Sequence, residues 1–201
     1  MRLRPLAILL LAAIQACGIA AAEPVGAVSR LQGEAEADGA ALSMGAGIDA
    51  GALLRTADLA RLEVRFLDGT VLTLGERTAM RVDTYVYAPA SGSGNVVFRL
   101  SAGSFLVTSG AVGKLPDRPL KIATPVATIG IRGTTFWGGS VDNPLEVLVL
   151  DGAVLVESSG GRVELNPGQG TTIRTAGAAP DAAIRWDKAK VERALGSVSF
   201  P

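Results

Sequence analysis

The chain has 201 residues, with 19 basic and 19 acidic side chains, no histidine and one cysteine. Without histidine there is no Ser-His-Asp or Cys-His constellation and no imidazole metal site, and without a basic surplus there is no electrostatic footprint for nucleic acid. Frequent glycine, few aromatics and short bursts of valine, leucine and threonine indicate many short strands joined by tight turns.

Residues 1–22 read as a signal peptide. Arg2 and Arg4 precede the apolar stretch Leu6–Ile14, and Ala20-Ala21-Ala22 offers small residues for cleavage before Glu23. That stretch falls short of the ~20 residues a spanning helix needs, and nothing later reaches the length. An exported protein, periplasmic or secreted and not transmembrane, is expected. Cys17 allows a second reading, a lipid anchor, but Gln15 fits poorly before a lipidated cysteine and favours simple cleavage. A mature chain without cysteine has to rely on its core rather than on disulfides.

A β domain is expected over residues 23–176. Its first hairpin signal, "EAEADGAAL", is weak, with Asp38-Gly39 between alanine-rich arms. In "RLEVRFLDGTVLTLG" the charged Arg61, Glu63 and Arg65 alternate with Leu62, Val64 and Phe66, a period of two with one buried face. Asp68-Gly69 then predicts a two-residue turn with positive φ at both central positions. Met80, Val82, Thr84 and Val86 alternate with Arg81, Asp83, Tyr85 and Tyr87, which places the two tyrosines on a polar face. Val96, Phe98 and Leu100 predict a further strand, as do Phe105 with Val107 and Leu120 with Ile122. "ASGSGN" (90–95) and "GAVGKLPDRP" (110–119) read as irregular.

"TPVATIGIRGTTF" (124–136) follows, with Arg132 alone among apolar, small and hydroxylated residues. Pro125 delays entry into the strand, and Gly133 lets the chain turn or bulge. Arg132 is expected to be held by backbone carbonyls or a carboxylate, as a structural clasp. "LEVLVLDGAVLVES" predicts a hairpin turning at Asp151-Gly152, apolar on both faces. After a last strand over Thr171–Arg174, residues 177–201 hold the end of a linker and a helix. Asp181 would cap that helix over Ala182 to about Leu195, with Ile184, Val191 and Leu195 on one face.

Little of this points to chemistry. The turn aspartates Asp38, Asp68 and Asp151 suit turns for conformational reasons, and Glu63, Asp83, Glu157 and Glu164 lie on faces that read as solvated. No loop is acidic enough for calcium, and no metal or other cofactor is expected. Gly130 and Gly133 lack the spacing of a phosphate loop. The aromatic candidates for ligand binding are Tyr85, Tyr87 and Trp137. Cross-strand packing at a sheet margin is the competing reading for the tyrosines, and core or rim for the tryptophan.

The ordered set of pieces resembles the FecR domain family from Val25 to Arg174. "GAVSRLQGEAEA" is similar to its opening strands. Gly51, Leu54-Arg55-Thr56, Asp68-Gly69 and Leu74-Gly75 are similar to its central block. Thr124-Pro125, Arg132-Gly133-Thr134 and Phe136 resemble its most recognisable segment, and "VLVLDGAVLV" with Asp151-Gly152 and "LNPGQG" its closing part. Thr135 stands where many relatives carry an acidic residue. The best-known members regulate iron uptake, joining a sigma-factor-binding segment and a membrane helix to a periplasmic domain that senses an outer-membrane receptor. The resemblance implies an all-β fold and, for a stand-alone exported form, binding or scaffolding rather than catalysis.

The expected architecture is therefore all-β, short strands and hairpins in a two-sheet sandwich or solenoid-like roll, with a short C-terminal helix. The expected function is a non-catalytic module for an envelope protein or polysaccharide. The alternative is an accessory in transmembrane signalling, and a carboxylate-dependent glycan hydrolase is the weakest reading.

Overall fold

The period-two segments become strands of one curled sheet. The computed structural model describes residues 23–117 and 119–201; the expected signal peptide and Cys17 lie outside the described residues. Strand β1 (Gly26–Gln32) is followed by β2 (Ala35–Ala37), β3 (Ala40–Ala41), β4 (Gly47–Ile48), β5 (Leu53–Thr56), β6 (Arg61–Phe66) and β7 (Val71–Leu74). Two long strands, β8 (Ala79–Ala88) and β9 (Ser93–Ala102), lead to β10 (Ser104–Thr108) and β11 (Leu120–Ala123). Then come β12 (Thr128–Gly139), β13 (Leu145–Ser158), β14 (Gly161–Leu165), β15 (Gln169–Ile173), β16 (Ile184–Arg185) and the α-helix α1 (Lys188–Gly196).

The hydrogen-bonded order is β3-β2-β5-β8-β9-β11-β12-β10-β7-β6-β1-β4, and β13 branches from β12 toward β14 and β15, with β16 beyond β15. The all-β expectation stands. Among the described residues the strands form one network curled into a half-barrel, where two separate sheets or a solenoid were expected. Among the described residues only β9 and β11 pair in parallel, which the connection through β10 permits. The concave side holds a continuous core that includes Leu54, Leu62, Leu72, Met80, Phe98, Phe105, Ile122 and Phe136, all fully buried. Each such side chain contributes roughly 1.5–3 kcal/mol.

Hairpin β6–β7 forms as its alternation predicts, pairing Leu62 with Leu74 and Val64 with Leu72. Its turn differs. Only Gly69 has positive φ (84°), the Gly69 amide donates to Phe66 O (3.0 Å), and the Phe66 amide donates to Thr70 O (2.9 Å). This is a three-residue loop closed by a glycine bulge, in which Asp68 keeps an ordinary backbone. The two-residue turn with two positive φ values occurs instead at Asp38 (49°) and Gly39 (85°), in the hairpin with the weakest sequence signal.

The hairpin expected at Asp151-Gly152 does not exist. Leu145–Ser158 is one continuous strand, antiparallel to β12 along its length, with the register shifting between Arg132 and Phe136. Gly133 (φ 60°) and Gly152 (φ 77°) lie opposite each other and bend both strands together. A Cβ on Gly152 would stand 2.1 Å from Gly133 O, so the strands touch backbone to backbone at the bend. The Asp-Gly pair marks a positive φ within a kinked ladder rather than a reversal of the chain. Of the apolar residues expected to bury the second face, Leu148 is buried while Leu150 is exposed and Leu155 only half-buried.

A bulge also overturns the expected faces of β8. Between Val82 and Thr84 the register with β9 shifts, so that Asp83 has no opposite number. One extra residue moves every following side chain to the other face. Met80 and Val82 are buried, but beyond the bulge Tyr85 and Tyr87 pack on the core and Val86 is exposed.

The helix starts later than expected. Asp187, not Asp181, caps it, accepting from the Lys190 amide at 2.9 Å. Ile184 lies in edge strand β16, mostly exposed, and Asp181 pairs with Arg174 at 2.9 Å. Helix α1 covers the convex side of the sheet, where Trp137 and Leu148 form a second small core with Ala194 and Val198.

Candidate functional site

The residues singled out from the sequence divide among structural junctions, the core and an exposed surface. The first junction is Asp68, whose carboxylate is almost fully buried at the β6–β7 tip. It accepts from the Thr70 amide (3.0 Å), the Thr70 hydroxyl (2.8 Å), the Tyr85 hydroxyl (2.9 Å) and the Val112 amide (3.2 Å). Tyr85 also accepts from the Asp68 amide at 2.9 Å and stacks on Phe66 at 5.4 Å. Burial is the main cause that pushes the Tyr85 phenol up, and the Asp68 carboxylate adds to it. Tyr85 is therefore a packing residue, and Tyr87 packs on the same core. Neither belongs to an open aromatic platform for sugar rings.

The second junction is the bend of β12 and β13. Thr134, not Arg132, is the clasp. Its buried hydroxyl lies 2.8 Å from Ala153 O and 3.0 Å from Arg132 O, and accepts from the Ala153 amide at 3.2 Å. Its amide donates to the Ser109 hydroxyl at 2.8 Å. The Arg132 side chain is exposed and makes no hydrogen bond or ion pair with a described residue, so the clasp expected of it is not present. Asp151 is likewise exposed, opposite Thr135. Phe136 is core, edge-on to Phe105 at 5.5 Å. At the start of the same segment, the Thr124 hydroxyl donates to Ala127 O (2.9 Å) and accepts from the Ala127 amide (3.0 Å). That closes the turn around exposed Pro125, which joins β11 to β12.

The third junction ties α1 to the sheet. Glu146 is fully buried and meets Lys190 at 2.7 Å, the Asp142 amide at 3.0 Å and the Asn143 side-chain amide at 3.2 Å. Burial works to raise its carboxyl, but these three partners outweigh it and hold the group below the usual glutamate range. Lys190 also sits 4.1 Å above the Trp186 ring. Trp137 is wholly buried, donates to the Ser197 hydroxyl at 3.1 Å and lies edge-on to Trp186 at 6.1 Å. It is a core residue beneath the helix rather than a ligand contact. The Glu146–Lys190 pair is not legible in a local sequence pattern, because its partners are 44 positions apart.

The motif around Thr56 is structural too. Its hydroxyl donates to Gly75 O (2.6 Å) and accepts from the Thr78 amide (2.9 Å). A Cβ on Gly75 would meet Ser197 O at 2.5 Å, so this glycine admits the end of the helix.

Asp68 and Glu146 are the buried carboxylates among the described residues, and each is held by its own separate set of fold contacts. No cluster of three acidic side chains is placed to hold a metal among the described residues. An open groove of about 610 Å³ near Glu36, Leu42, Arg55 and Thr56 contains none of the aromatic candidates. No helix among the described residues is long and apolar enough to cross a membrane.

Two crystal structures titled "putative anti-sigma factor" from Parabacteroides distasonis ATCC 8503 share this fold at 18% identity. Their TM-scores are 0.56 and 0.53, and each alignment covers 71% of this chain. The matched region is 64% and 63% of those proteins, so the chain spans less than two thirds of their length. No curated protein matches the chain. The family model described as FecR protein matches residues 52–155, from the residue before β5 to Leu155 beyond the bend in β13. The chain belongs to the FecR protein family.

Proposed function

We propose that this chain is a regulatory, non-catalytic FecR domain that works by docking to a protein partner in bacterial signalling. The observation that carries the reading is the family match, which spans the Asp68 junction and the bend. The similarity of fold to the Parabacteroides proteins lends further support. These findings favour the signalling accessory over the binding or scaffolding module for an envelope protein or polysaccharide that the sequence placed first. The burial of both carboxylates, each held by hydrogen bonds from the fold itself, supports a role without hydrolysis.

On this reading the chain acts after export, in the periplasm or at the cell surface, and its partner is a receptor or membrane-bound regulator of the envelope. The test is the transcript profile of a deletion strain. A distinct set of genes should be misregulated and restored by complementation. An envelope defect with an unchanged profile would return the scaffold reading to first place. Glycan turnover by the purified protein, lost with one carboxylate, would overturn both.

A further inference from the structure

The second half of β8 has a neighbour on one side only. Strand β5 pairs with β8 at Ala79–Arg81, and Val82 exchanges backbone hydrogen bonds with Gly51 and Ala52 on that side. Past the bulge at Asp83, residues Thr84–Ala88 pair with β9, from Val97 to Ser93. Among the described residues no strand pairs with their other side.

This edge reads Thr-Tyr-Val-Tyr-Ala, with neither a charge nor a proline. Proteins ordinarily protect exposed edges with lysine, proline, a cover or very short strands, because unpaired β-branched and aromatic edges invite another strand. The other ends of this sheet follow that rule: β3, β4 and β16 are two residues each, and β14 carries Arg162 and Glu164. Here five residues stand open, and Val86 is 52% exposed at their centre.

We propose that this edge is covered by the same edge of a second copy of the chain, antiparallel about a two-fold axis at Val86. The pairing matches its own sequence. Val86 meets Val86 on the outer face, Tyr85 meets Tyr87 on the inner face, and Thr84 meets Ala88. With no charged residue in the run, no like charges face each other across the axis. Asp83, the nearest acid, is already paired with Arg99 at 2.8 Å. The run reads almost the same in both directions, Tyr-Val-Tyr about the axis, which favours the chain's own strand over a partner's. Five residues span about 17 Å of ladder, a contact smaller than the ~1,600 Å² of a standard interface. The dimer is therefore weak and concentration-dependent.

Sedimentation velocity over a concentration series tests this, with Val86→Lys as the disrupting variant. The wild-type chain should pass from monomer to dimer, and Val86→Lys should stay monomeric with an unchanged circular dichroism spectrum. In a Cys17→Ser background, Val86→Cys should form a disulfide-linked dimer under mild oxidation, since Cα atoms facing each other across an antiparallel pair stand ~4.5–5.5 Å apart. Met44→Cys, equally accessible but distant in sequence, should not. A wild-type chain that stays monomeric throughout overturns the proposal. So does a dimer indifferent to Val86→Lys, or equal cross-linking at positions 44 and 86. A monomer whose Val86→Lys variant loses a protein partner would assign the edge to that partner instead.

Discussion

Replacing Asp68 with alanine separates a turn aspartate from a buried junction. If Asp68 only favoured the turn, the substitution would cost a few tenths of a kcal/mol, since its backbone is ordinary and Gly69 supplies the positive φ. The structure predicts much more. The variant strips acceptors from the amides of Thr70 and Val112, both fully buried, and from the half-buried Tyr85 hydroxyl. Each buried donor left unsatisfied costs about 1–3 kcal/mol. Entry of a water and relaxation of the loop bring the total to about 3 kcal/mol, or a fall in Tm of roughly 6–12 °C for a domain of this size. Asp68→Asn keeps one acceptor and should lose about half as much. Thermal unfolding followed by circular dichroism, with urea titration to check that the m-value is unchanged, reads both variants. An Asp68→Ala protein that melts within about 1 °C of wild type would refute the junction, because that shift is under ~0.5 kcal/mol.

The bend makes a contrast between two glycines that both have positive φ. Gly133→Ala meets open space and should cost about 1–2 kcal/mol of left-handed strain, whereas Gly152→Ala drives a Cβ into Gly133 O and should abolish stable folding; equal melting points would argue against the backbone contact. Glu146 has a carboxyl held below its ordinary range, so its contribution is complete above the unfolded-state value and disappears as pH falls through the folded one. Acid titration of stability should show this loss, Glu146→Gln should flatten that limb, and an unchanged limb in the variant would contradict the assignment. Leu59, 75% exposed at φ 58°, sits in a conformation that disfavours a leucine. Leu59→Gly should relieve the strain and raise Tm by about 2–4 °C, corresponding to about 1 kcal/mol; a lower Tm would show that the side chain stabilises the loop.

How far the sequence could be read depended on the range of the interaction. The β6–β7 hairpin was legible because its alternation and its glycine lie within one local stretch. The faces of β8 were not, because the bulge at Asp83 arises from register with β9 and leaves no residue that marks it. Asp151-Gly152 looked like a hairpin because a positive φ serves a turn and a kink equally well. Only the opposing Gly133, 19 positions away, distinguishes the two. The importance of "TPVATIGIRGTTF" was visible, but its clasp was assigned to the charge when the neutral Thr134 hydroxyl bridges the strands. An exposed arginine and a buried threonine differ here in burial, and a sequence pattern with one charge draws attention to the charge. The helix boundary shifted because Ile184 fits a helical stripe and an edge strand alike.

The most direct test of the regulatory account is the transcript profile of a strain lacking this gene, compared with the same strain carrying the gene and with one carrying Asp68→Ala. The account predicts a discrete set of misregulated genes, restored by the wild-type protein but not by the unstable variant. An unchanged profile, with or without an envelope defect, would contradict it.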